Sequence, residues 1–234
     1  MIKVAVIGVE NFSLGKKSLP DERLERLKEI LHPPKITYIE IEFIGEDKLK
    51  SADGILCEEN SKLELVISDL EIVEDRLSKL EEGDEYDLFS RCKENLEKEN
   101  LLSEITLSEE ELEILSPYNF TTLKPTTFVD KEGLPPLPKI IQGVYSDLGM
   151  ISFYTYNERE LRSWPIRRGR TVYEAAGIIH SDIQRGFIKA EVVNYEDVVK
   201  SGGLNQVRGK GLVRLEDKTY TVKDADLIQI RFSV

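Results

Sequence analysis

The run Ile2–Val9 (IKVAVIGV) constrains the fold more than any other feature of the chain, because it is apolar at every position except Lys3 and Gly8. A strand of that composition has no solvated face to offer. It belongs inside a sheet covered on both sides, as a central strand of an α/β domain does. It ends at Gly8 and gives way to polar residues, as a strand does where it runs into a loop. With one lysine and so short an apolar stretch it does not read as a signal peptide, and no other stretch approaches the ~20 apolar residues that a bilayer span needs. The expectation is a soluble, cytoplasmic protein with no membrane partner.

The pattern downstream divides the chain. Residues 21–31 (DERLERLKEIL) place Leu24, Leu27, Ile30 and Leu31 on one helical face, and Pro33 and Pro34 stop that helix. Ile36–Ile44 alternates β-branched and aromatic residues with glutamates, the period of a half-buried strand, and Asp53–Cys57 reads as a short third strand. Apolar residues at 63, 66, 67, 70, 73, 77 and 80 trace a helical stripe, and a second helix over about 85–101 follows the break at 81–84. Ser108 opens a capping box ahead of Pro117. After the strand-like Thr126–Val129, the segment 130–138 (DKEGLPPLP) reads as a linker. Beyond it the pattern predicts a helix over 139–148, strands at 150–156 and 161–165, a turn and helix over 169–179, a strand at 186–193, a helical turn at 195–200 and three strands from Leu212 to the end. This gives an α/β domain from 1–62 and 116–138, an inserted helical hairpin at 63–115, and an α+β domain of β-grasp type at 139–234.

Charge follows the same division. The 234 residues carry a net charge of −12. Residues 1–150 hold 18 lysines and arginines against 33 acids, whereas 151–234 hold 14 against 11. The acidic part repels nucleic acid and the C-terminal part is able to approach it. Cys57 and Cys92, with no Cys-x-x-Cys, indicate neither a disulfide framework nor a zinc site, and read as inert thiols.

The segment 174–192 (EAAGIIHSDIQRGFIKAEV), followed by Tyr220–Val234 (YTVKDADLIQIRFSV), closely resembles the TGS domain of the YchF-type, Obg-related ATPases. The resemblance extends back through Arg162-Ser-Trp-Pro and Ile151-Ser-Phe-Tyr-Thr to about Lys139. Leu107-Ser-Glu-Glu-Glu and Leu123-Lys-Pro-Thr look like that family's exit from its helical hairpin, and Pro20-Asp-Glu-Arg-Leu and Glu42-Phe-Ile resemble pieces of its nucleotide-binding domain. The fold this implies is an α/β remnant of a P-loop nucleotide-binding domain with an inserted helical hairpin, plus a C-terminal TGS domain. It also implies ribosome or RNA contact through that domain, with no DNA partner.

The chemistry departs from the family. A working P-loop reads Gly-x-x-x-x-Gly-Lys-Ser, because its turn aims backbone N–H groups, a lysine and a hydroxyl at one triphosphate and Mg²⁺. Here Gly8-Val-Glu-Asn-Phe-Ser-Leu-Gly-Lys-Lys-Ser sets six residues between the glycines and adds a lysine. The family's Asp-x-Ala-Gly is replaced by Gly45-Glu46-Asp47-Lys48, and its base-reading Asn-x-x-Glu by Phe128-Val129-Asp130-Lys131. A residual phosphate grip would fall to Gly8, Asn11, Gly15, Lys16, Lys17 and Ser18. The candidates for RNA are Arg167, Arg168 and Arg170 beside Trp164, with His180, Arg185, Lys189, Arg208 and Lys210, since guanidinium groups near an aromatic hold phosphates and stack on unpaired bases. No catalytic residue, metal ligand or cofactor is expected. The sequence thus predicts a non-catalytic binding protein; the alternatives are a weak ATPase or GTPase taking ATP or GTP with Mg²⁺ at a rebuilt loop, and a scaffold binding a protein partner at the hairpin.

Overall fold

The computed structural model describes residues 1–131 and 133–233, so Glu132 of the expected linker and Val234 lie outside it. Along the chain come β1 (Ile2–Ile7), β2 (Gly15–Ser18), α1 (Glu22–Leu31), β3 (Ile36–Thr37), β4 (Glu40–Ile44), β5 (Gly54–Glu58), α2 (Lys62–Leu77), α3 (Asp84–Glu97), α4 (Glu109–Leu115), β6 (Thr126–Val129) and α5 (Leu137–Asp147). They are followed by β7 (Met150–Tyr156), β8 (Leu161–Arg167), α6 (Val172–Ile179), α7 (Ser181–Arg185), β9 (Phe187–Asn194), α8 (Tyr195–Ser201), α9 (Leu204–Gly209), β10 (Arg214–Glu216) and β11 (Asp226–Phe232). The chain forms two compact units, Met1–Lys17 with Ile41–Leu148, and Ser18–Glu40 with the chain from Gly149 onward. No helix among the described residues is long and apolar enough to cross a membrane.

The first unit is built on a five-stranded sheet in the order β2-β4-β1-β5-β6. β1 pairs in parallel with β4 on one side and β5 on the other, and β5 pairs in parallel with β6. Val4, Ala5 and Ile7 are accordingly buried, as the apolar run requires. Because the chain steps from β1 to β4 and then back across to β5, the winding reverses between β1 and β5, where an open α/β sheet leaves a crevice at the carboxyl ends of its strands. In the same unit α2 and α3 pack on each other around Val66, Val73, Leu88, Phe89 and Leu96. Asp69 of α2 is fully buried and accepts hydrogen bonds from the Thr121 N–H (3.0 Å), the Thr122 N–H (2.7 Å) and the Thr122 hydroxyl (2.6 Å), which ties the helix to the segment entering β6. Ser108 and Glu111 form the expected capping box at α4.

The second unit is a six-stranded sheet in the order β10-β9-β11-β7-β8-β3. β7 is antiparallel to β8 and parallel to β11, and β9 is antiparallel to both β11 and β10. Alternation sends Ile151, Phe153, Ile166, Val192 and Ile228 to one face, packed with Val172 and Ala175 of α6. It sends Tyr154, Leu161, Val193 and Leu227 to the other, where Leu24 and Leu27 of α1 pack with Val198 and Val207 of α8 and α9. Asp21 caps α1 by accepting from the Arg23 and Leu24 N–H groups, and its other oxygen accepts the Tyr154 hydroxyl at 2.6 Å. Arg23 in turn pairs with Asp224 at 2.7 Å.

Three expectations need correcting. Residues 36–44 are not one strand: β3 pairs with β8 in the second sheet and β4 with β1 in the first. The alternation is real on both sides, but Ile39, itself buried, sits at a break where the chain changes sheets. The compact units also divide the chain elsewhere than 138/139. Residues 18–40 complete the second unit, and α5 packs on β5 and β6 of the first, with the Thr127 hydroxyl donating to Asp147 at 2.6 Å. Pro138 stands in the first turn of α5, where a proline forfeits no helical hydrogen bond. Last, the middle strand expected between 212 and 234 is reduced to a single bridge, Thr171 to Thr221, and the short helices α7 and α9 stand where the sequence shows no helical stripe. Both cysteines are buried and free, and burial pushes their thiols up to about 12 (Cys57) and about 11 (Cys92).

Candidate functional site

At the carboxyl ends of β1, β5 and β6 lies a cavity of about 160 Å³, lined by Gly8, Glu10, Asn11, Glu58, Asp130 and Lys131 among others. Gly8 leaves β1 with φ +68° and Asn11 follows at φ 59°, so the loop turns sharply through left-handed conformations. A Cβ on Gly8 would stand 2.1 Å from the Ser61 hydroxyl oxygen, which occupies the space just above the glycine. Glu58 is buried and turned onto Asn60, accepting from its N–H (3.1 Å) and its side-chain amide (2.7 Å). Lys131 reaches Glu10 at 2.9 Å. The crevice thus carries three carboxylates and one ammonium that is already paired.

The rest of the expected phosphate grip is elsewhere. Gly15, Lys16, Lys17 and Ser18 form β2, the edge strand beside β4, and the next element is α1 of the second unit. Successive residues of a strand point to opposite faces, so Lys16 and Lys17 do not converge on one point. Lys17 lies over the Phe12 ring (5.6 Å), and Phe12 packs on Phe43 (4.9 Å). Gly8 and Asn11 are therefore brought to the crevice, and Gly15–Ser18 are drawn into the sheet.

In the second unit the structure sorts the expected RNA contacts by what already holds them. Arg170 pairs with Glu174 (2.7 Å), Arg185 with Asp182, Lys189 with Asp217, and Arg208 with Glu191 (3.6 Å) and Gln229 (3.1 Å). Lys210 reaches the Ser201 hydroxyl at 3.1 Å. His180 caps α7, its Nδ1 accepting from the Asp182 N–H at 3.1 Å, which gives it a structural task. The strand register sets Lys189, with Glu191 and Gln229 beneath Arg208, on the face opposite to Phe153 and Trp164. Arg167 ends β8 and Arg168 enters the turn, held by its N–H on the Gly149 carbonyl (2.9 Å). Neither guanidinium has an ion pair or hydrogen bond among the described residues.

The sequence reading did not single out Arg162. The cation beside Trp164 is not Arg167, Arg168 or Arg170 but Arg162, whose guanidinium carbon stands 4.0 Å from the centre of the indole. Arg162 and Trp164 are two apart on β8 and so share a face, opposite Thr155 and Phe153 of β7. The indole N–H donates to the Thr155 hydroxyl at 2.9 Å, and the Phe153 ring lies nearly parallel to the indole, 14° between planes and 6.4 Å between centres. Beyond the indole, Arg162 has no ion pair or hydrogen bond among the described residues. The i, i+2 spacing of Arg and Trp in a strand was the available signal.

This two-unit architecture is that of a known class. It matches the structure of the Schizosaccharomyces pombe YchF GTPase with a TM-score of 0.84, at 19% identity, over 98% of this chain and 97% of that one. The family described as YchF-GTPase_C, protein of unknown function (DUF933), matches residues 150–233. The Bacillus subtilis (strain 168) ribosome-binding ATPase YchF is 26% identical over 95% of this chain and 89% of its own length. Obg-like ATPase 1 of Oryza sativa subsp. indica is 42% identical over 42% of this chain and 25% of its own length. The chain is homologous along nearly its whole length to the YchF-type, Obg-related ATPases. The alignment with the Bacillus protein runs over 327 positions against 234 residues here, so a large share of those positions faces gaps in this chain.

Proposed function

We propose that this chain is a non-catalytic YchF-like protein that binds the ribosome, or RNA within it, through a C-terminal TGS domain of β-grasp type. The observation that carries the reading is the placement of Gly15–Ser18 in an edge strand, apart from the β1 crevice. A phosphate cradle needs convergent backbone N–H groups, a lysine and a helix N-terminus. None of these converges at Gly8, where Ser61 fills the space over the glycine and Glu10, Glu58 and Asp130 would repel a triphosphate. ATP or GTP with Mg²⁺ does not fit these residues. The relatives' name as ribosome-binding ATPases supports the ribosome as partner. The order β8-β7-β11-β9 with α6 on one face supports the β-grasp assignment, and the unpaired Arg167 and Arg168 support RNA as the surface contacted.

Calorimetric titration with ATP and then GTP, each with Mg²⁺, tests the non-catalytic part, and co-sedimentation with ribosomes tests the partner. The expected result is no saturable heat with either nucleotide, and ribosome binding that is lost as salt rises. Binding tighter than ~100 μM, worth roughly 5.5 kcal/mol, and abolished by Lys16→Ala with Lys17→Ala, would replace this reading with that of a weak NTPase.

A further inference from the structure

The Arg162–Trp164 pair has the construction of a stacking platform. A guanidinium plane and an indole present flat, polarisable faces, and Phe153 nearly parallel to the indole together with the Trp164–Thr155 hydrogen bond fixes the ring from the sheet side. A structural arginine buried on an aromatic ring usually spends its N–H groups on carboxylates or carbonyls. Arg162 spends none on a hydrogen bond or close ion pair among the described residues, its charge acting only at longer range on Glu160, although the nearby ring nitrogen, hydroxyl and β8 backbone are all committed. Where β8 ends stand two more guanidinium groups without a hydrogen bond or ion pair among the described residues: Arg167, which alternation turns to the face opposite Arg162, and Arg168 in the turn that follows, six residues and about 20 Å of extended chain from Arg162 at ~3.3 Å per residue. A phosphate fits the guanidinium of Arg168, and a flat, uncharged, donor- and acceptor-edged group fits the guanidinium plane of Arg162. An unpaired nucleobase has that chemistry, with its own backbone supplying the phosphates a few nucleotides away.

We infer that Arg162, backed by Trp164, is the stacking site for an unpaired base of a single-stranded RNA segment whose phosphates run toward Arg168, just past the end of β8. This rests on the RNA-binding reading above and gives it an address. It differs from the sequence expectation, which set the three downstream arginines around the indole.

Trp164 is the sole tryptophan of the chain, so its emission reports the site directly. The test titrates the full-length protein with an unstructured 12-nucleotide RNA, following RNA fluorescence anisotropy and Trp164 emission in parallel. Coincident saturation of both signals is expected. Arg162→Gln should weaken binding at least about fivefold, as loss of one stacked base does. Arg162→Lys should not restore it, because lysine keeps the charge without the plane. Circular dichroism and the melting temperature check that each variant is folded, and Trp164→Phe, which keeps a ring against Phe153, serves as a second variant expected to weaken binding less than Arg162→Gln. Binding by anisotropy with no change in Trp164 emission, or full rescue by Arg162→Lys, would overturn the stacking site and leave the RNA-binding reading standing. No binding of the RNA by wild type would overturn both.

Discussion

The β1–β5 crevice of the first unit and the β8 end of the second treat their charged side chains in opposite ways. In the first, the crevice between β1 and β5 keeps the position that an open α/β sheet offers to a ligand, yet its one ammonium is spent on Glu10 and three carboxylates line the rest. In the second, Arg162 and Arg167 of β8 and Arg168 just after it have no hydrogen bond or ion pair among the described residues. A site is thus not located by its topological position alone. What distinguishes these two places is which charges remain available after the chain has satisfied its own.

The comparison is most exposed at α1, which comes early in the sequence and completes the second unit. Leu24 and Leu27 are fully buried among Tyr154, Leu161, Val193 and Val198. Replacing both by alanine is expected to cost about 4 kcal/mol or more, and urea denaturation should show the loss. Stability unchanged by the pair would break the assignment of residues 18–40 to that unit. Next in size is Asp69→Ala in the first unit, which strands three donors of Thr121 and Thr122 and should cost about 2–3 kcal/mol by the same measurement.

A smaller effect separates spent from unspent arginines. Reversing Arg167 and Arg168 together to glutamate should weaken RNA binding about tenfold near 0.1 M salt, whereas Arg185→Ala, which removes a partner of Asp182, should change it less than about twofold. Equal effects would erase the distinction between paired and unpaired arginines within the second unit. The smallest concerns pH. Asp226 is fully buried, with one oxygen accepting from the Tyr220 hydroxyl (2.8 Å) and the Lys223 N–H (2.9 Å), and the other without a hydrogen bond and 3.9 Å from Arg214. Burial holds its carboxyl above the ordinary value of 3.8, the Lys223 N–H only partly opposing it. A group whose native pKa is raised contributes stability that is complete below its unfolded pKa and is lost as pH rises through the native one. Asp226→Asn should therefore flatten the fall of stability as pH rises above 3.8, and a slope unchanged by the substitution would show that the carboxyl does not titrate there. Asp69, raised by burial against its Thr122 and Thr121 hydrogen bonds, should retain its own share of that fall.

Much of the local structure was legible because it is carried by short-range pattern. The apolar run of β1, the stripe of α2, the box at Ser108 and the hairpin-like β7 and β8 need only periodicity and caps to be read. The candidate site was legible in part. Arg167 and Arg168, named in the sequence as RNA candidates, keep no side-chain hydrogen bond or ion pair among the described residues, but Arg170, Arg185 and Lys189 could not be set apart from them. Glu174 lies four residues from Arg170, a spacing visible in the sequence, whereas Lys189 and Asp217 meet only because β9 and β10 are neighbours in the sheet. The break at Tyr38–Ile39 was not legible at all, since both halves of Ile36–Ile44 alternate correctly and only the choice of sheet differs.

The sequence by itself determined which segments are strands and helices over most of the chain, where charge accumulates, and that the spacing between Gly8 and Gly15 departs from a phosphate loop, because each of these is a property of neighbours along the chain. Only the tertiary structure decided that Gly15–Ser18 join a sheet edge, that residues 18–40 complete the C-terminal unit, and that Arg162 rather than Arg167 lies on Trp164. Those outcomes depend on which distant groups reach a given side chain first. A buried apolar face or an unpaired charge is satisfied by whatever the fold brings to it, and sequence separation says little about that.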